Sequence, residues 1–138
     1  MSIVIDASIA LSWCFEDEAS EETDRIGEEV ATTGGLVPSL FHLEIGNALL
    51  QAERRGRITA ASVTQRLELI SQLPIEIDPQ TVMRATREIL ALARAEKLTV
   101  YDAAYLELAA RRGSALATRD QALATAAMKI GVPVRGGV

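Results

Sequence analysis

Four acidic residues, Asp6, Glu44, Asp102 and Asp120, stand where apolar, strand-like runs give way to helical patterns or within the opening turns of predicted helices. Oxygen ligands gathered from such places build sites for hard cations such as Mg²⁺ or Mn²⁺. In an open α/β sheet, ligands bind at the carboxyl ends of the strands. The spacing therefore suggests one acidic metal pocket assembled from distant segments. A zinc site is disfavoured, because the chain holds one cysteine, Cys14, and one histidine, His42, whereas zinc prefers several such ligands.

Each acid also has a structural account. Asp6 follows Ile3-Val4-Ile5 and precedes a helix, so it reads as an N-cap with Ser8 assisting; a cap position also aims its carboxylate off the strand end. Asp102 reads as part of a capping box opened by Thr99. Asp120 reads as a first-turn acid in a helix capped by Thr118. Glu44 is the exception. It lies in the apolar stretch Leu40-Phe41-His42-Leu43-Glu44-Ile45-Gly46-Asn47-Ala48-Leu49-Leu50, where a carboxylate is expensive to bury unless paired or bound to a metal. Asn47 follows three residues later on the same helix face, and Gly46 would let another backbone come close. Gathered together, the four would repel one another and raise at least one pKa in the absence of a cation.

The elements that must position these acids alternate along the chain. Strands are expected at Ser2–Ile5, Leu36–Pro38, Ile75–Ile77, Ser114–Ala117 and, as a final edge, Val132–Val134. Helices are expected from Ala7 to Phe15, from Glu21 to Ala31, from a Ser39 cap to about Arg55, from Thr59 to Pro74, from an Asp78 cap to about Glu96, from Thr99 to Arg112 and from Thr118 to Gly131. Short apolar strands alternating with helices predict an α/β fold in three layers: a parallel sheet of about four to five short strands flanked by helices. With 138 residues, 49% of them apolar, residues 1–138 are expected to form a single domain with one packed core. No apolar run reaches the roughly 20 residues of a membrane span. The segment Met1–Asp6 lacks the basic start of a signal peptide, so a cytoplasmic location is expected. Cys14 reads as a buried core thiol, and Gly136-Gly137-Val138 as a frayed end. The net charge of −5 argues against non-specific nucleic-acid binding over the whole surface. It leaves room for a metal-centred nuclease and for a partner that brings positive charge.

The chain resembles PIN-domain proteins, and in particular the VapC-type toxins of toxin–antitoxin pairs. The resemblance is carried by Val4-Ile5-Asp6-Ala7-Ser8, by Pro38-Ser39-Leu40-Phe41-His42-Leu43-Glu44-Ile45-Gly46-Asn47-Ala48-Leu49, by Thr99-Val100-Tyr101-Asp102-Ala103-Ala104-Tyr105-Leu106-Glu107-Leu108-Ala109 and by Leu116-Ala117-Thr118-Arg119-Asp120. It covers essentially the whole chain and implies one PIN-like domain over residues 1–138. It further implies RNA cleavage by an acidic quartet, mapped onto Asp6, Glu44, Asp102 and Asp120, holding Mg²⁺ or Mn²⁺. Ser8 and Thr118 match the family's small hydroxyl positions, expected to orient ligands or waters around the ion, with Asn47 a further candidate contact. Such proteins usually dimerise and are inhibited by a small antitoxin that places a basic residue at the acidic site, so a homodimer and a cognate antitoxin are implied partners.

On this reading the metal activates and orients a water for in-line attack on phosphorus, and no side chain is a nucleophile. Arg54, Arg55 and Arg57, like Arg111-Arg112, read as complements to helix ends or as RNA or partner contacts. Arg119 reads as a surface residue or a phosphate contact, His42 as core or surface, and Tyr101 and Tyr105 as packing. The alternatives are a non-catalytic α/β binding module whose acids are merely caps, a PIN-like nuclease with a role outside toxin–antitoxin systems, and an aspartyl phosphotransferase. The last is a poor match, because it wants a second aspartate where this chain has Ser8.

Overall fold

A computed structural model describes residues 2–136 of the chain. Gly137 and Val138, part of the expected frayed end, lie outside the described residues. The elements run β1 (Ile3–Ile5), α1 (Ala7–Ser12), a 3-10 turn (Glu16–Glu18), α2 (Glu21–Thr33), β2 (Gly35–Val37), α3 (Phe41–Arg54), α4 (Ala60–Ser71), β3 (Ile75–Ile77), α5 (Thr81–Arg84), α6 (Glu88–Glu96), α7 (Val100–Arg112), β4 (Leu116–Ala117), α8 (Gln121–Lys129) and β5 (Val134–Arg135). The strands form one five-stranded sheet in the order β3-β2-β1-β4-β5, and every pairing is parallel. Successive residues of a strand point to opposite faces. All three residues of β1 and of β2 are buried, so both faces of the sheet centre are covered, as expected for helices above and below.

The edge strands differ from the expected buried type. Ile77 on β3 is half exposed, because β3 has a neighbour on one side only. The last strand begins one residue beyond Pro133, whose carbonyl accepts from Leu116 N at 2.8 Å; proline can still accept at an edge. Gly136 is not frayed. It is buried with φ +130°, and an added Cβ would collide with the Thr118 carbonyl. Only glycine lets the chain pass there, and this close passage backs the end of β4 where Thr118 stands.

Several helix boundaries also move. The first helix stops at Ser12. Beyond it, the Trp13 indole donates to Thr23 O at 2.8 Å, and Cys14, buried as expected, gives its carbonyl to Arg66 Nε at 2.6 Å. Ser39 does not cap α3: the N-cap is Leu40, without a side-chain bond, and Ser39 N donates instead to Thr81 Oγ1 at 3.1 Å. The helix expected from Asp78 to Glu96 is two helices, α5 and α6, separated where Arg87 leaves the helical conformation (φ −124°, ψ −95°), and the Asp78 carboxylate is paired with Arg111. Gly46 faces open space, with nothing within 4 Å of an added Cβ, so no backbone approaches it. Among the described residues no helix is long and apolar enough to cross a membrane.

Candidate active site

Parallel pairing in register brings the ends of β1 and β4 side by side. Ile5 is opposite Ala117, and Asp6 N donates to Ala117 O at 3.1 Å. The next residue of each strand is therefore adjacent: Asp6 and Thr118. Asp6 caps α1, its Oδ1 accepting from Ile9 N at 3.2 Å and from Ser8 Oγ at 2.6 Å, while Thr118 Oγ1 donates to its Oδ2 in a very short bond. Both hydroxyls are themselves fixed by the incoming chain of α8, since Ser8 Oγ accepts from Arg119 N and Thr118 Oγ1 from Asp120 N, each at 2.9 Å. Asp120, not Thr118, caps α8 by accepting from Leu123 N at 2.9 Å. Thr118 is engaged in linking Asp6 to the Asp120 backbone.

Glu44 approaches from α3 and Asp102 from the first turn of α7, where Thr99 Oγ1 accepts from Asp102 N at 3.0 Å as the cap. Glu44 Oε1 accepts from the Tyr105 hydroxyl at 2.6 Å. Tyr105 is buried and belongs to the core, as expected of a packing residue, but its hydroxyl reaches the acids. That role escaped the sequence reading. Its signal is the three-residue spacing from Asp102, which puts both on one face of a helix. Tyr101, by contrast, is 64% exposed rather than packed. With Leu40, Leu43, Glu44 and Asn47 it lines an open cavity of about 400 Å³ beside the acids. His42 is exposed, lies edge-on to Phe41 and does not line this cavity.

The acids share one electrostatic field. Asp6 is pushed up to about 6, chiefly by burial and slightly by Asp102, against the lowering effect of the Ser8, Thr118 and Ile9 hydrogen bonds. Burial likewise raises Glu44, opposed by the Tyr105 hydroxyl and reinforced by Asp102. Burial and then the charge of Asp120 raise Asp102, with the Thr99 hydroxyl working the other way. Tyr105 is held firmly in its protonated form, by burial first, then by its bond to Glu44 and by the charges of Glu44, Asp6 and Asp102. Among the described residues none of the four carboxylates has an ion-pair partner. Arg119 turns its guanidinium to Glu18 at 3.9 Å. Arg57 is engaged with Asp17 at 2.9 Å and stacks on Phe15, whereas Arg54 and Arg55 are exposed. Among the described residues no group of three or more His, Cys, Asp or Glu side chains is arranged to hold a metal ion, and of the four acids Glu44 alone lines the open cavity.

A second polar cluster lies outside the sequence-derived site. Arg111 binds Asp78 through two bonds of 3.2 and 2.8 Å and Glu107 at 2.7 Å, and Arg84 reaches Glu107 at 3.4 Å. Arg111, partly buried in the last turn of α7, is therefore an ion-pairing residue as well as a helix-end cation.

A fold of this topology, with acids at the strand ends, matches a known family. The PIN-domain family model matches residues 3–129. Ribonuclease VapC3 of Pyrobaculum aerophilum is 30% identical over 124 residues, covering 90% of this chain and 93% of that protein. Ribonuclease VapC3 of Mycobacterium tuberculosis is 31% identical over 124 residues, covering 90% of this chain and 86% of its own length. The crystal structure of PAE2754 from Pyrobaculum aerophilum superposes with a TM-score of 0.72 at 24% identity, over 97% of this chain and 89% of that one, a likeness of fold. The chain belongs to the PIN-domain family, among its VapC-type members.

Proposed function

We propose that this protein is a Mg²⁺- or Mn²⁺-dependent endoribonuclease, the toxin of a type II toxin–antitoxin pair, acting through Asp6, Glu44, Asp102 and Asp120. The observation that supports the reading is that, beyond burial, the acids act on one another by charge: Asp102 on Asp6 and Glu44, and Asp120 on Asp102. Three of the four have raised pKa values, and among the described residues none has a cation partner. Carboxylates gathered in this way lack a compensating charge, and an oxygen-only donor set suits a hard divalent ion. Relatives named as ribonucleases support the substrate class.

Glu44, Asp102 and Asp6 are the residues assigned to hold the ion, with Asp120 acting partly through water. A divalent ion bound there would supply a lowered water pKa and charge stabilisation at the phosphate. The protein's own part is positional. Ser8 and Thr118 fix both oxygens of Asp6 and tie them to the start of α8, so Asp6 and Asp120 keep one geometry. Asn47 and Tyr101 border the cleft and would meet the RNA strand beside the scissile bond. No hydroxyl, thiol or imidazole is needed as a nucleophile.

The cognate antitoxin is assigned the missing positive charge: a basic side chain entering the cleft would neutralise the acids and block the ion. A homodimer is assigned as the working state, on the resemblance to VapC-type proteins, which usually dimerise. The expected place of action is the cytoplasm, where RNA and antitoxin are both met.

The test is cleavage of bulk cellular RNA by the partner-free protein with Mg²⁺, with Mn²⁺ and with chelator, beside Asp102→Asn. We expect internal cleavage that needs the metal. Asp102→Asn should lose more than the roughly 100-fold typical of an outer partner of a metal site, with an unchanged circular dichroism spectrum. Undiminished cleavage by the variant would remove Asp102 from the site.

A further inference from the structure

Asp6 is fixed by three hydrogen bonds, but Glu44 is fixed by one. Among the described residues the Tyr105 hydroxyl, at 2.6 Å from Oε1, is its sole side-chain hydrogen-bond partner. A glutamate has several free torsions and loses substantial rotamer entropy when ordered. On a half-exposed helix face it would otherwise sample several positions. Tyr105 cannot move in the same way. It is 1% exposed on α7, its neighbours from Ala103 to Ala109 are all buried, and close packing sets its ring. A phenylalanine would fill that core equally well. The hydroxyl is the polar atom added to an apolar site, and it is aimed at a carboxylate that has no cation.

We propose, on the strength of the metal-nuclease reading above, that Tyr105 is a positioning residue for Glu44. Its single proton clamps Oε1 and leaves Oε2 free to serve the ion. The same bond ties α3 to α7 and so sets Glu44 relative to Asp102, which stands one turn before Tyr105. Asp6 obtains its geometry from the strand ends; Glu44 obtains its geometry from this one phenol.

The competing account is a plain staple between α3 and α7, and Mn²⁺ binding separates the two. Free Mn²⁺ is followed by electron paramagnetic resonance in titrations of the wild type, Tyr105→Phe, Glu44→Gln and the double variant. Melting curves are taken without metal, and kcat and KM are measured on one RNA. Tyr105→Phe should weaken Mn²⁺ binding by roughly 10–100-fold and lower kcat with KM for RNA unchanged. In the Glu44→Gln background the same change should leave Mn²⁺ affinity where Glu44→Gln alone put it. Glu44→Asp, too short to meet both the hydroxyl and the ion, should resemble Tyr105→Phe. Wild-type Mn²⁺ affinity in Tyr105→Phe, whatever its melting point, would establish the staple and overturn the proposal. A wild-type protein that neither binds Mn²⁺ nor cuts RNA would overturn the metal-nuclease reading itself.

Discussion

Helix α7 carries a buried carboxylate, Glu107, and a partly buried one, Asp102, and they are treated in opposite ways. Toward its C-terminus, Glu107 meets Arg111 and Arg84, and Arg111 also clamps Asp78, with two acids and two guanidinium groups in one cluster. The Asp78 carboxyl feels burial as an upward push, but its paired bonds and charge interaction with Arg111 outweigh this and hold it below the usual range. Toward its N-terminus, Asp102 faces Asp6, Glu44 and Asp120 with no cation, and Asp6, Glu44 and Asp102 are all pushed up. Burial is common to both places; compensation is what differs. The chain solves the problem with its own arginines where it needs structure. It leaves the charge unsolved where, on our reading, an ion, a substrate complex or an inhibitor supplies the answer.

The largest effect should come from breaking the compensated cluster. Among the described residues, Arg111→Met leaves Glu107 with Arg84 and Asp78 with no ion-pair partner, only the more distant charge of Arg112. It should destabilise the fold by about 3–5 kcal/mol, the usual result of orphaning a buried ion-pair partner. Chemical denaturation measures it, and added Mg²⁺ should not restore the loss. A change below about 1 kcal/mol would mean the cluster is wet and the contrast is overstated.

The pH dependence of the metal-free protein should show both regions at once. Folded Asp6 keeps its proton up to about 6, against an ordinary 3.8. The folded state therefore holds more protons between those values, and stability falls as the pH rises through them. The effect of Asp6 is on the order of 3 kcal/mol, and Glu44 and Asp102 act in the same direction. Asp78 has the reverse sign: its contribution is complete above 3.8 and is lost as the pH falls through its lowered value. A melting-temperature maximum is thus expected near pH 4, with a decline as the pH rises from about 4 to 6, and saturating Mg²⁺ should raise the melting point more at pH 7 than at pH 5. A flat profile from pH 5 to 7 would show that the acidic cleft carries no strain to relieve.

The smallest effect sharpens the contrast within the cleft. Glu44→Gln keeps an acceptor for the Tyr105 hydroxyl while removing one charge, so metal-free stability should hold or rise by a few tenths to about 1 kcal/mol. A clear loss in the thermal melt would mean that the Glu44 charge has a structural partner in solution.

Much of this arrangement was legible in residue order. The short apolar runs at Ile3–Ile5 and Leu116–Ala117 mark strands because no helix-length periodicity surrounds them, and the caps at Asp6, Thr59 and Thr99 follow from side chains suited to bond a free N–H. Caps misled where a longer-range partner took the same group. Asp78 looks like an ideal cap before Pro79, yet Arg111, 33 residues away, binds it. Thr118 looks like the cap of α8, yet its hydroxyl is spent on Asp6, 112 residues away, and Asp120 caps instead. A local rule ranks local competitors and has no means of seeing a distant one.

The sequence by itself determined the alternation of strands and helices, the parallel sheet it must form, and the four acids at element boundaries, because all of these depend on hydrophobic period and on chemistry within a turn or two. Only the tertiary structure decided which carboxylates have cations and which do not, which tyrosine packs its ring while turning its hydroxyl to Glu44, and that Gly136 lies against Thr118. Those outcomes depend on distances between segments tens of residues apart, which strand register and helix packing set together.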